Sequence, residues 1–407
     1  MARILIVGGS LGGLMAANLL HRAGHDVLVL ERSARSLEGR GAGIVTHASL
    51  LQALHQAGAT VDDTLGVKVS TRVVLAPDGR TECRWDYPQI LTSWGRLYAL
   101  LREALPDACH RLGAAVATFD QRGDSVSATL VDGTQVDGEL LIACDGIRST
   151  VRTQLAPDVQ PAYANYVAWR GVCDEALLSQ HTRRTLFEHF GFGIPEHEQM
   201  IGYPVAGAGN RTTVGQRRWN FVWYRPAAAG PELAALMTDA DGTHHEAGIP
   251  PNQVSWRAVA AMREAARQLL APQFAEIVEK TALPFLQPIY DLVSPTLAFD
   301  RVALLGDAAL VARPHVGMGV SKAGEDAVAL AACIATDGAT PRALARYAAQ
   351  RQPESLAVVE RGRWLGRYLE AKHRGDSVTR SAETVMHETA VDTSLFESAT
   401  PRARALA

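Results

Sequence analysis

The stretch Arg3–Arg32, RILIVGGSLGGLMAANLLHRAGHDVLVLER, constrains the fold of this chain more than any other. Ile4–Val7 is a short apolar run rich in β-branched residues, of the length of a buried strand. The turn Gly8-Gly9-Ser10-Leu11-Gly12-Gly13 follows, and Leu14 to Ala23 repeats apolar residues at helical spacing. Asp26–Leu30 is a second buried strand, and Glu31 ends it. This is a βαβ unit with a glycine-rich first turn. Such a turn brings backbone N–H groups to a helix start, where free donors and the helix dipole attract a pyrophosphate. Glu31 lies eighteen residues after Gly13, close to the roughly twenty expected for a carboxylate on a ribose hydroxyl. In the pattern G-x-G-x-x-G, Ser10 takes the second glycine position. It adds only a small side chain, and its hydroxyl can itself donate to phosphate. A dinucleotide site is the expectation.

Composition narrows the class. The 407 residues suffice for two domains or one large domain with insertions, and 47% hydrophobic with 20% charged residues is ordinary for a globular enzyme. A net charge of -3 gives no case for nucleic acid as a partner. The five cysteines, Cys83, Cys109, Cys144, Cys173 and Cys333, form no C-x-x-C pair, so neither a disulfide framework nor a zinc site is expected. The chain enters its first strand without a signal peptide, and no apolar run is long enough for a membrane span. A reducing, cytoplasmic location and no membrane partner are the expectations.

Downstream, the pattern predicts a helix over 48–56, strands over 67–75 and 81–85 joined at Asp78-Gly79, and an amphipathic helix over 94–105. Strands are expected over 114–119, 125–131 and 135–143, the last running into Cys144-Asp145-Gly146 and a helix start at 147–152. Short strands over 163–172, 184–189, 200–205, 211–214 and 219–224 then gather aromatics, as an antiparallel sheet would. Helices are expected over 232–237 and 256–270, a buried strand over 301–305, a long helix to about Ala335, and a C-terminal helix over 342–368. The polar tail after Gly375 is expected to be peripheral.

Three separated stretches fall into one pattern: Gly8–Glu31, LLIACDGIRSTVR ending at Arg152, and LLGDAALVARPHVGMG from Leu304 to Gly319. In that order and spacing they resemble the single-component FAD-dependent aromatic hydroxylases, the para-hydroxybenzoate hydroxylase-like flavoprotein monooxygenases. Ser10, Trp94 after Thr92-Ser93, Trp169-Arg170-Gly171 and Arg313-Pro314-His315 make the chain most similar to the 2,6-dihydroxypyridine 3-hydroxylase branch. The resemblance implies an α/β fold: a Rossmann-like FAD-binding domain (1–75, 95–162, 285–340), an inserted, mostly antiparallel substrate sheet (76–94, 163–284) and a C-terminal helical segment (341–407). It implies FAD as cofactor, NADH or NADPH as co-substrate, and O2 and a small aromatic ring as partners. The ring would be hydroxylated by way of a flavin hydroperoxide. A homodimer is the assembly it implies.

By the same resemblance, Gly8, Ser10, Leu11, Gly13, Glu31 and Arg32 would hold the ADP half of FAD, and Gly43 and Ile44 would lie near the flavin ring or ribityl chain. Asp307 would bond the ribityl chain, and Pro314, Gly317 and Gly319 would line the isoalloxazine. Arg96, two residues beyond the position where many relatives carry Arg and this chain carries Trp94, joins the cofactor set. Asp145 belongs to an element tied to FAD and NAD(P)H, and equally reads as a helix N-cap. Gly317 and Gly319 precede a helix whose electropositive N-terminus suits the negative charge of a reduced flavin.

Aromatic hydroxylation needs a group that helps ionise a ring hydroxyl, and His is the usual choice. His47, three residues past Ile44, is the first candidate; His315 beside Pro314 is the second; and Tyr203, on the expected substrate sheet, could bond a substrate oxygen. Each also reads as an ordinary packed or capping residue. Arg313 either pairs with an acidic substrate or caps its loop. His244-His245-Glu246 sits in a polar loop without ligand spacing, and no metal is expected. A hydroxypyridine is the favoured substrate. A phenol, urate or quinolone hydroxylase, an epoxidase, a halogenase, or a non-catalytic binding protein on the same scaffold remain alternatives.

Overall fold

The computed structural model describes residues 1–38, 43–374 and 380–392; Gly41-Ala42 and the chain past Asp392 lie outside the described residues. Arg3–Val7 pairs in parallel with Asp26–Glu31 on one side and with Leu140–Ala143 on the other. The full sheet has six strands, in the order Ala298–Phe299, Val302–Leu304, Leu140–Ala143, Arg3–Val7, Asp26–Glu31, His110–Leu112. Helices and the three-stranded sheet of Val116–Arg122, Ser125–Leu130 and Gln135–Gly138 cover its faces, so its central strands can be apolar at every position: Ile4, Leu5 and Ile6 are all fully buried. The Leu11–Arg22 and Gly319–Asp337 helices pack together beside the sheet's carboxyl edge. Gly12 permits the approach, since a Cβ there would stand 3.3 Å from Ala323 Cβ.

A nine-stranded sheet forms the second layer, in the order Leu310–Val311, Phe285–Val293, Ala162–Asp174, Arg218–Pro226, Gln199–Val205, His189–Gly193, Val67–Leu75, Thr81–Ser93, Gly43–Val45. Only the His189–Gly193 and Val67–Leu75 pairing is parallel. Strand alternation divides its aromatics between two cores. Trp219, Phe221 and Trp223 face Phe274 and Ile277 of the Pro272–Lys280 helix. Tyr166, Phe190, Tyr203 and Tyr224 face Leu369, Val385 and Met386 of the C-terminal segment. Strands Val67–Leu75 and Phe285–Val293, placed by the sequence reading in the FAD-binding segments, belong to this sheet.

Four local expectations are corrected. The strand expected over 135–143 is two: Gln135–Gly138 joins a three-stranded sheet, and Leu140–Ala143 joins the parallel one. The break falls where Glu139 N–H donates to Arg3 O at 2.7 Å. Residues 184–189 are not a strand. Ser179 caps a Gln180–Leu186 helix by accepting from Thr182 N–H, and the strand begins at His189. Residues 211–214 form no strand, and Val214 is exposed. The tail is not peripheral, because the Ala382–Glu388 helix and the residues after it bury Val385, Met386 and Ala390 against the second sheet.

Candidate active site

The nucleotide end is made mostly of backbone. Gly8 has φ +103°, and a Cβ on it would stand 2.4 Å from Cys144 O; a Cβ on Gly13 would stand 2.0 Å from Gly8 O. Both positions require glycine. Ser10 occupies the N-cap position of the Leu11–Arg22 helix, and its hydroxyl makes no capping bond. Met318, before the Gly319–Asp337 helix, makes none either. The two uncapped helix starts meet at one cavity of about 240 Å³, lined by Ser10, Leu11, Gly12, Gly146, Gly306, Asp307, Gly319 and Ala323. Free N–H groups of two helices thus converge on one space, which suits a bound anion.

The Asp307 carboxylate stands between this cavity and a larger cleft of about 670 Å³, which Arg148, Gln287, Tyr290 and Pro314 help to line. It accepts no hydrogen bond among the described residues. Solvent reaches the side chain, yet the surrounding protein pushes its pKa up against the pull of the Lys322 ammonium. Lys322 is fully buried behind the turn: its Nζ donates to Gly306 O at 3.1 Å and to Asp326 at 3.2 Å. Asp145 Oδ2 accepts from Val151 N–H at 3.3 Å, an N-terminal capping bond, while its buried Oδ1 has no partner among the described residues. Burial raises its pKa. An elongated group with an anionic centre and hydroxyls beside it fits this donor and acceptor set. FAD has that form.

The other expected cofactor residues are placed as follows. Glu31 is buried, and its carboxylate accepts from Gly9 N–H and Ser33 N–H, each at 2.8 Å, which ties the turn to the second strand. Arg32 is exposed. Arg96 donates to Thr64 Oγ1 at 2.7 Å and does not line either cavity; Trp94, stacked on Tyr98 at 5.0 Å between centroids, lines the smaller one. Gly43 N–H donates to Asn220 Oδ1 at 3.0 Å, and a Cβ on Gly43 would meet the Tyr203 ring at 2.5 Å. Gly43 and Ile44 therefore lie on the edge strand that leads directly to His47.

The two candidate histidines differ. His47 precedes the Ala48–Gln56 helix, and its Nε2 lies 3.1 Å from the carbonyl of Gly317 in the Pro314–Gly319 loop. Donation to that carbonyl leaves Nδ1 as the basic nitrogen. Burial pushes the imidazole pKa below its ordinary value, and the Gly317 bond and Asp392 only partly restore it. His315 is fully buried with both nitrogens engaged: Nε2 accepts from Tyr166 OH at 2.9 Å, and Nδ1 donates to Gln199 Oε1 at 2.7 Å. Burial, then Arg313 and Arg380, lower its pKa to about 3. It is a structural node, poorly placed to take a proton from a ligand. Tyr203 packs edge-on to Phe190, and its hydroxyl makes no hydrogen bond among the described residues; burial raises its pKa. Arg313 is committed to Asp291 and Glu370, so it anchors the loop. His245 pairs with Asp239, and Glu246 with Arg148.

Sequence reasoning missed Arg72, Gln199 and Asn220. Each is a polar residue in a strand of the second sheet, and nothing local distinguishes it from a solvent-facing position. Only the layer that covers the second face of that sheet turns these side chains inward.

A family model described as an NAD(P)-binding Rossmann-like domain matches residues 6–59, and one described as FAD binding domain-like matches residues 163–291. A 2,6-dihydroxypyridine 3-monooxygenase of Paenarthrobacter nicotinovorans is 32% identical over 81% of this chain and 82% of its own length. The Aurachin C monooxygenase/isomerase of Stigmatella aurantiaca is 31% identical over 86% of this chain and 84% of its own. The solved structure of 2,6-dihydroxypyridine-3-hydroxylase from Arthrobacter nicotinovorans superposes with a TM-score of 0.87 at 28% identity, covering 95% of this chain and 96% of that one. With identity at that level across most of both chains, and with a cleft that suits FAD, this protein belongs to the para-hydroxybenzoate hydroxylase-type flavin monooxygenases, FAD-dependent hydroxylases of aromatic rings.

Proposed function

We propose that this enzyme uses NADH or NADPH and O2 to hydroxylate a small hydroxylated aromatic ring, and that the ring is a hydroxypyridine. The observation that carries the reading is His47: a buried imidazole, its pKa lowered by burial, held on the carbonyl of Gly317 in the loop whose Pro314 lines the larger cleft. The similarity to a dihydroxypyridine monooxygenase supports the choice of ring. Bound FAD, once reduced, supplies the reaction with O2 that inserts oxygen into the ring.

The chain's own residues do the rest. Ser10, Leu11 and Gly12 would offer backbone and hydroxyl donors to the pyrophosphate. Gly8 and Gly13 shape the turn, with Gly8 N–H donating to Leu30 O at 2.9 Å, and Asp307 would accept from ribityl hydroxyls. The start of the Gly319–Asp337 helix gives a positive potential where negative charge gathers. His47 Nδ1 accepts the proton of the ring hydroxyl, which makes the ring electron-rich. The Tyr203 hydroxyl orients a ring oxygen. Tyr166, Tyr224, Phe190 and Met386 form an apolar wall that excludes water.

The test is a panel. Purified protein should be yellow, and its NAD(P)H oxidation should be stimulated by hydroxypyridines more than by phenols, urate or quinolones. Greater stimulation by a bicyclic quinolone would move the substrate class. A protein that takes up no added FAD would overturn the reading.

A further inference from the structure

We propose that residues Thr389–Asp392 form the substrate-side wall of the flavin site, that Ala390 limits the size of ring the site accepts, and that Arg72 is the positioning residue that latches the wall. The proposal rests on the function proposed above, in which a substrate chamber lies beside His47 and Tyr203.

The latch begins with a cation in an unusual place. Arg72, on the Val67–Leu75 strand, is fully buried and meets no carboxylate among the described residues. All five of its N–H groups are used. Nη1 donates to Met386 O at 3.0 Å and Thr389 O at 2.6 Å, Nη2 to Ala390 O at 2.7 Å and Gln89 Oε1 at 2.7 Å, and Nε to Gln89 Oε1 at 2.9 Å. The rings of Tyr87 and Phe190 lie 4.6 and 4.9 Å from its guanidinium carbon. A buried charge without a counter-ion is costly. Here the carbonyls at the C-terminal end of the Ala382–Glu388 helix, with that end's negative potential and the ring faces, offset the cost. The planar fork reaches three carbonyls of one turn and a side-chain amide together. A lysine has no equivalent geometry.

The wall meets the flavin loop at its other end. Ala390 N–H donates to His315 O at 2.9 Å, and Gln199 Nε2 donates to Thr389 Oγ1 at 3.1 Å. A Cβ on Gly317 would stand 2.7 Å from Ala390 Cβ, so the tail comes this close only because residue 317 is glycine. The same Gly317 carries His47 on its carbonyl, and the charges of Asp392 and Arg72 act on the His47 ring in opposite directions. Wall, base and flavin loop therefore meet around Gly317. Ala390 holds φ +50°, a conformation glycine adopts freely and larger residues resist.

Ala390→Gly is thus the substitution least able to disturb the fold. A methyl-sized change in a pocket shifts substrate preference by about tenfold. The expected result is a rise in kcat/KM for rings with one extra substituent relative to the parent ring, with FAD affinity unchanged. In Arg72→Gln, KM for the ring should rise and more peroxide should form per NAD(P)H consumed, again with FAD retained; Arg72→Lys should not rescue it. In the wild type, ring substrate should slow amide hydrogen exchange at 389–392. This last measurement and Ala390→Gly decide the matter if Arg72→Gln fails to fold. The proposal is overturned if wild type hydroxylates a ring while Ala390→Gly keeps wild-type KM, coupling and substrate range and exchange at 389–392 ignores the ring. A wild type that oxidises NAD(P)H identically with and without every ring tested overturns the chamber reading, and this wall with it.

Discussion

The glycine-rich end of this enzyme and the substrate chamber proposed for it are built on opposite plans. At the glycine-rich end, the geometry is set by main chain: glycines without Cβ atoms, two uncapped helix starts, and one carboxylate, Asp307, that lines both cavities. The proposed chamber instead draws on side chains from elements far apart in sequence: His47, Tyr203, Arg72 as the positioning residue on another strand, and a tail that reaches the Pro314–Gly319 loop at Ala390. A backbone site depends on local geometry, so a short stretch of sequence encodes it. A side-chain site depends on what packs against what, and no short stretch does.

That contrast makes separable predictions. The largest effect is expected at His47. His47→Ala should keep FAD and lose hydroxylation by about 10²–10⁴-fold, the usual worth of general-base help. Because burial holds the His47 pKa below 6.5, the neutral base persists as pH falls, and the acid limb of kcat/KM should lie below pH 6.5 in wild type and vanish in the variant. A variant that hydroxylates at the wild-type rate with an unchanged profile would reduce His47 to a helix-start residue. At the nucleotide end, Asp307→Ala should remove a charge-assisted bond of about 1.5–3 kcal/mol, weakening FAD binding by about tenfold or more in a fluorescence titration. Undiminished FAD retention on dialysis would break the assignment.

His315 sharpens the distinction between a chamber residue that reacts and one that supports. Its folded pKa lies near 3 against an ordinary 6.5, so the unfolded chain takes up this proton first as pH falls. The contribution is complete above pH 6.5 and is lost between there and about pH 3, at about 1.4 kcal/mol per pH unit. Denaturant unfolding of wild type should therefore lose about 2 kcal/mol more than His315→Gln between pH 6.5 and 5. Equal losses would mean that His315 takes up its proton in the folded chamber. The smallest effect belongs to Tyr203→Phe. It removes one neutral hydrogen bond, worth about 1 kcal/mol, and should raise KM for the ring several-fold with little change in FAD affinity. An unaltered KM would leave Tyr203 as packing for Gly43 and Phe190.

What the sequence by itself determined is the part governed by local rules. The βαβ unit, the glycine turn, the Gly306-Asp307 pair and the long helix after Gly319 follow from periodicity, turn chemistry and spacing, and all stand where they were expected. Local rules did not show how these side chains are partnered: the Glu31 carboxylate accepts from two backbone donors, and Arg96 donates to Thr64. Only the tertiary structure decided that both ring nitrogens of His315 are engaged while His47 is held by one. Both are buried histidines, and their difference lies in the Tyr166 and Gln199 partners that the second sheet gives His315 and the single Gly317 carbonyl that holds His47. It also decided that a polar tail packs against the second sheet, where three of its carbonyls, more than three hundred residues away in sequence, accept from the buried guanidinium of Arg72.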